Sequence, residues 1–210
     1  MDKTRRVVAT GLGTLAPNGM STTAFWDALR AGMSGIAPIQ RFDTSEFRVK
    51  IGAELEGFDP EDFGMTKKEA RRNDLCTQYA VSAANMAVED SGLDIETEDP
   101  DRVGVIFGSG IGGILTLEDQ HTALMEKGPR RISPHFITMM IADMTSGQIS
   151  ISLGARGPNY ATVSACSSAG HAIGNAFREI RYGEADIMIT GGAEAAVSRL
   201  ALGGFASMKA

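Results

Sequence analysis

The chain has 210 residues and a mass of 22.2 kDa, with 20 basic against 26 acidic side chains and a pI near 5.1. That length suits one large domain or two small ones, and 43% hydrophobic with 22% charged residues is a globular composition, not a disordered one. Net acidity argues against non-specific nucleic-acid binding; no apolar run approaches the roughly 20 residues of a bilayer span, and Cys76 and Cys166 alone build neither a disulfide framework nor a zinc site.

In chain order, the start MDKTRRVVATG has no signal-peptide core, so the chain reads as cytosolic. A β-branched run predicts a strand over residues 6–10, ending at Gly11. Residues 22–31 read as a helix with Phe25, Trp26 and Leu29 on one face. Residues 36–63, with Pro38 and Pro60, read as an irregular insertion on the rim. A long helix is expected over 66–91, opened by a Thr66/Glu69 capping box and closed at Gly92. A strand at 103–107 leads to helices at 114–126 and 142–153. A strand at 161–165 then runs into a helix at 166–182, and a last strand spans 187–190. Alternating strands and helices predict an α/β layered fold. Residues 200–210 form a small-residue apolar segment with no evident cap, unlike a polar, frayed carboxyl terminus, so a truncated chain is expected.

The chemistry concentrates in Thr162-Val-Ser-Ala-Cys166-Ser-Ser-Ala-Gly170-His171. A strand running straight into a cysteine and then a helix places sulfur near unpaired backbone N–H groups, which favour thiolate over thiol. The N–H of the same residue can stabilise an oxyanion on an acyl group that the sulfur attacks. The competing reading is a small buried hydrophobe, the commoner fate of a free cysteine. His171, five residues on, turns roughly 140° away along a helix and reads as a packing or hydrogen-bonding residue. His121 reads as solvated, and His135 as a loop residue.

Two glycine segments match a dinucleotide fingerprint, Gly11-Leu-Gly13-Thr-Leu-Ala16 and Gly108-Ser-Gly110-Ile-Gly-Gly113. Pro17-Asn18-Gly19 breaks the first before a helix can receive a pyrophosphate. The second lacks a following strand that ends in an acid suited to a ribose. No nucleotide cofactor is expected. Lys67, Lys68, Arg71 and Arg72 open the long helix, where cations are electrostatically disfavoured, and this placement suggests an acidic partner rather than a merely solvated face. Gly170 and Gly174 inside the last long helix each cost roughly 1 kcal/mol against alanine, which makes sense where another backbone comes close.

The Cys166 segment resembles the nucleophile motif of β-ketoacyl-acyl-carrier-protein synthases, most closely the synthase II type. So do Val7-Val-Ala-Thr-Gly-Leu-Gly with Pro17-Asn-Gly, Gly108-Ser-Gly-Ile-Gly-Gly, Gly128-Pro-Arg-Arg-Ile-Ser-Pro, Gly154-Ala-Arg-Gly-Pro and Gly191-Gly-Ala-Glu, in order from end to end. The resemblance implies an α/β thiolase-like layered fold, αβαβα in the full enzyme, with residues 1–210 as its amino-terminal half and the second half absent. It implies acylation of Cys166, then decarboxylative Claisen condensation with malonyl-carrier protein, and no cofactor or metal. Ile111 and Phe205 would border the acyl chain. Lys68, Arg71, Arg72 and Arg130 would dock acidic acyl carrier protein. A homodimer would form through residues 133–154 and 160–164, with His135 near that interface. The condensing step in this family uses two histidines and a lysine of the second half, which His121, His135 and His171 do not match; the chain alone is therefore expected not to condense. With the second half absent, one side of helix 166–182 should lie bare. The alternative is a non-catalytic, chain-length-determining or binding partner subunit, which typically lacks the cysteine.

Overall fold

The computed structural model describes residues 5–209. In chain order the elements are α1 (Thr22–Arg30), β1 (Ala37–Pro38), β2 (Ile51–Gly52), α2 (Lys67–Ala70), α3 (Leu75–Ser91), β3 (Val103–Gly108) and α4 (Ile114–Lys127). After them come α5 (Phe136–Met140), α6 (Met144–Leu153), β4 (Asn159–Thr162), α7 (Ser168–Tyr182), β5 (Ile187–Gly192) and α8 (Arg199–Met208).

The run Val-Gly-Val-Ile-Phe-Gly forms β3, and all six of its residues are buried, the pattern of a strand covered on both faces. It is the middle of a parallel sheet ordered β4-β3-β5. Val105 pairs with Asn159 on one side and with Ile189 on the other. The two-residue alternation then sorts the core. Val103, Val105 and Phe107 pack with Val81, Ala84 and Ile149 of α3 and α6, while Ile106 packs with Ala172 and Ala176 of α7. The result is one sheet between α3/α6 and α7, the α/β layering expected. Residues 36–63 form a two-residue antiparallel ladder, β1 with β2, within otherwise irregular chain, pinned where the Phe58 ring meets Tyr79 edge-on at 4.8 Å.

Several expectations need correction. The helix expected over 66–91 is two helices. The Thr66/Glu69 capping box does form, but α2 ends after one turn. The reason is Asp74, a buried carboxylate that caps α3 through the Cys76 N–H at 2.9 Å. The same carboxylate accepts from the Thr116 N–H at 3.0 Å and the Thr116 hydroxyl at 2.7 Å, which ties the start of α3 to α4. Asn73 and Gln78 side chains occupy the break, bonding the carbonyls of Glu69 and Ala70. The basic residues therefore border a single turn of helix, and the argument from misplaced cations loses its premise. Residues 200–209 are not uncapped. Ser198 accepts the Ala201 N–H at 3.1 Å and opens α8, its hydroxyl supplying the missing partner of a helix start (Ala210 lies outside the described residues).

Residues 6–10 do not join the sheet. They run exposed beside it, held by Gly11 and Gly13, whose Cα atoms touch α3 so closely that a Cβ at Gly13 would stand 1.9 Å from the Ala83 carbonyl oxygen. A groove of about 420 Å³ separates this segment from β5. Ala83 and Ala87 of α3 line it, as do Ile173 and Phe177 of α7. β5 pairs with β3 alone, and its other edge faces this groove. On α7, a Cβ at Gly170 or Gly174 would meet nothing within 4 Å, and Ile173 is 52% exposed. One side of this helix is bare, as the sequence led us to expect. No helix among the described residues is long and apolar enough to cross a membrane.

Candidate active site

β4 stops at Thr162, earlier than the expected 165, and α7 starts at Ser168, later than the expected 166. Cys166 therefore lies in the turn between them, exposed, one residue before the N-cap Ser167. The turn is strained. Ala165 has φ 52, the left-handed region that a residue with a Cβ seldom adopts. A sharp strand-to-helix turn of this kind lifts the following side chain out of the sheet and into the open.

Ser168 holds the turn together. Its side chain is buried, accepts the Ser164 N–H at 2.9 Å and donates to the Ala165 carbonyl at 2.7 Å. Thr162 donates its hydroxyl to the Ser168 carbonyl at 2.7 Å. Below them, Gly108 and Gly192 let β3 and β5 abut the first turn of α7: a Cβ on Gly108 would stand 2.4 Å from the Ser168 carbonyl carbon. Ser167 gives the first turn of α7 no side-chain cap; the Ser167 and Ser168 N–H groups donate instead to the Ser164 and Ala165 carbonyls, at 3.2 and 3.0 Å. His171 makes a 2.6 Å hydrogen bond to Ser164 Oγ, which fits its reading as a hydrogen-bonding residue.

The two cysteines differ completely. Cys76 is fully buried at the start of α3, its thiol donating to the Ala193 carbonyl at 3.3 Å. Burial pushes that thiol up from 9.0 to about 12, and the nearby Glu194 and Asp74 charges act in the same direction. It is a structural thiol.

Ile111 occupies the turn between β3 and α4 and is 42% exposed. The turn touches the nucleophile segment: a Cβ on Gly110 would lie 3.5 Å from the Ala165 carbonyl oxygen. Phe205 is 46% exposed on α8, an element anchored by Ser198 and by the bond from the Leu200 N–H to Glu118. Those anchors tie α8 to α4, not to the Cys166 turn. Lys68, Arg71, Arg72 and Arg130 are exposed, and none forms an ion pair among the described residues, whereas Lys67 is paired with Glu61 at 2.8 Å. Sequence reasoning missed Ser168 and Glu194. Ser168 was hidden in a run of small residues. Glu194 stands in a recognised glycine motif, but its partners are 83 to 85 residues away along the chain.

The site is thus an exposed cysteine on a strained strand-to-helix turn of an α/β domain, braced by Gly108 and Gly192. The family profile described as "Beta-ketoacyl synthase, N-terminal domain" matches residues 4–210, and the chain belongs to that family. It is 49% identical over all 210 residues to the 3-oxoacyl-[acyl-carrier-protein] synthase 2 of Staphylococcus aureus strain COL, and 48% identical over 206 residues to that of Vibrio cholerae serotype O1. The match covers 100% and 98% of this chain but 50% of each relative, so the chain spans about half the length of the curated relatives it matches. Among solved structures, the ishigamide ketosynthase/chain length factor superposes with a TM-score of 0.89 at 30% identity, over 99% of this chain and 51% of that one. The fold is therefore the thiolase-like ketosynthase fold, of which this chain carries one α/β portion.

Proposed function

We propose that this chain is the amino-terminal half of a 3-oxoacyl-[acyl-carrier-protein] synthase of fatty-acid biosynthesis, with Cys166 as the residue that accepts the acyl group. The observation that carries this reading is the exposed sulfur on the strained, glycine-braced turn at the mouth of α7. In the acylation step, Cys166 Sγ attacks the thioester carbonyl, the carrier thiol leaves, and the acyl–sulfur bond moves from carrier to enzyme. The N–H of Cys166 is one donor for the oxyanion that forms in passing. Ile111 and Phe205 border the acyl chain. Condensation follows when malonyl-carrier protein loses carbon dioxide and the resulting carbanion displaces Cys166 from the acyl carbonyl. That step belongs to a protein carrying both halves, because His121, His135 and His171 do not match the histidines that the family uses as its acid–base pair. Incubating such a protein with an acyl thioester should leave one acyl group on the Cys166 peptide by mass spectrometry; an unmodified Cys166 peptide would refute the assignment.

The groove beside β5 and the bare side of α7 form the seat of the second half. The supports are their apolar lining and the twofold greater length of the relatives. Acidic acyl carrier protein docks on the unpaired cations Lys68, Arg71, Arg72 and Arg130, which orient its arm through charge complementarity. The protein works in the cytoplasm. It is a homodimer through residues 133–154 and 160–164. In support, β4 is an edge strand of the sheet, with Val163 62% and Ile151 71% exposed beside it. An aspartate at Ile151 would bury a charge in that interface. I151D is expected to shift the sedimentation mass of the protein carrying both halves from dimer to monomer, and an unchanged mass would place the interface elsewhere.

A further inference from the structure

The turn that carries Ile111 is glycine-rich and is pinned at its ends by the Ser109 N–H to Thr162 and Gly113 N–H to Met140 bonds. It contains Gly110, Gly112 and Gly113, and Gly112 has φ 75. What shapes it comes from the neighbouring parallel strand, whose end lies beside that of β3. Glu194 follows β5, and its Oε2 accepts the Gly110 N–H at 2.7 Å and the Ile111 N–H at 3.1 Å. Two successive backbone N–H groups aimed at one oxygen form a small anion-binding concavity. The other carboxylate oxygen, Oε1, accepts the Ser109 hydroxyl at 3.2 Å. Ser109 Oγ in turn accepts the Gly112 N–H at 3.0 Å, so one carboxylate organises residues 109 to 112. Ser109 is 2% exposed, which makes these polar contacts costly to leave unmade.

The same contacts reach the nucleophile. A Cβ on Gly110 would stand 2.9 Å from Glu194 Oε2 and 3.5 Å from the Ala165 carbonyl oxygen. The turn is thus wedged between the Glu194 carboxylate and the strained residue that precedes Cys166. If the carboxylate is withdrawn, three N–H or O–H donors lose their acceptor together: the ends of the turn stay pinned by the Ser109 N–H to Thr162 and Gly113 N–H to Met140 bonds, but Gly110 and Ile111 between them are released.

We infer that Glu194 is the positioning residue of the acyl pocket: by fixing the 109–112 turn against Ala165 it sets where Ile111 stands relative to Cys166, and so which acyl chain lengths load. This rests on the reading of Cys166 as acyl acceptor. Glu194 touches no reacting atom in this account and acts through the turn.

The test uses the protein carrying both halves and measures acyl transfer to Cys166 from acetyl, octanoyl and palmitoyl thioesters by intact mass. Glu194→Ala should slow palmitoyl loading about tenfold or more and acetyl loading about threefold or less, a split that general destabilisation does not produce. Hydrogen exchange at the Gly110 and Ile111 amides should accelerate at the same time. Glu194→Gln keeps a carbonyl oxygen for those two N–H groups and should return palmitoyl loading to within about threefold of the unsubstituted protein. Glu194→Asp keeps the charge but withdraws it by one methylene, and should repeat the alanine pattern if the alanine variant does not fold. Equal losses for acetyl and palmitoyl in the variants that fold would overturn the inference while leaving Cys166 as acceptor. No acyl group on Cys166 of the unsubstituted protein would overturn the functional reading itself, and this inference with it.

Discussion

Iodoacetamide at pH 8 is expected to place one carbamidomethyl group on the native chain, on Cys166, and none on Cys76. Alkylation needs a thiolate and a path to it. Cys166 is exposed, whereas Cys76 has 0% exposure and a thiol pushed up to about 12. At pH 8 that leaves a thiolate fraction on the order of 10⁻⁴ for Cys76, before the lack of a path for the reagent is counted. Cys166→Ala should therefore drop the stoichiometry from one label to none under native conditions, and unfolding in urea should restore a single label, now on Cys76. Labelling of Cys76 at a rate comparable to Cys166 in the native protein would contradict the burial. The same thiol makes stability fall with rising pH. Above about pH 9 the unfolded thiol ionises, while the folded one keeps its proton until about pH 12, so the unfolded state is favoured increasingly across that window.

The second large effect concerns glycine, and its sign depends on place. Gly108→Ala would set a methyl group 2.4 Å from the Ser168 carbonyl carbon and 2.7 Å from the Ala169 nitrogen, both backbone atoms. β3 or α7 must move, and the expected destabilisation is about 3 kcal/mol, at the upper end of overpacking. The Cys166 turn stands on that contact, so its alkylation rate should change as well. Gly170→Ala and Gly174→Ala meet open space, and each should stabilise this chain by roughly 0.5–1 kcal/mol through helix propensity. Urea midpoints with an unchanged slope would measure all three. In a protein carrying both halves the sign at Gly170 and Gly174 should reverse, since a backbone packed against them has no room for the methyl groups. A gain in both settings would mean that nothing packs on that side of α7.

Much of the fold was readable because its signals are local. The β3 run, the α7 periodicity and the Thr66/Glu69 capping box each depend on residues within a few positions of one another. So does the cysteine between a strand and a helix, which is why that residue stood out without any tertiary information. The failures came where a distant partner decides. The long helix breaks because Asp74 is drawn to Thr116 of α4, 42 residues away, and no window of sequence contains that bond. Residues 6–10 have the composition of a strand, yet a strand is defined by its neighbour, and here a groove stands where the neighbour would be. Residues 200–210 read as uncapped because their cap, the Ser198 hydroxyl, stands just before the segment.

Sequence alone determined the layered α/β class and singled out Cys166, because hydrophobic period and turn chemistry act at short range along the chain. Only the tertiary structure decided that this sulfur faces solvent while Cys76 does not, that the helix expected over 66–91 breaks at Asp74, and that a carboxylate after β5 shapes the turn after β3. Burial and long-range hydrogen bonds are properties of which surfaces meet in space, and residue order does not contain them until the chain has folded.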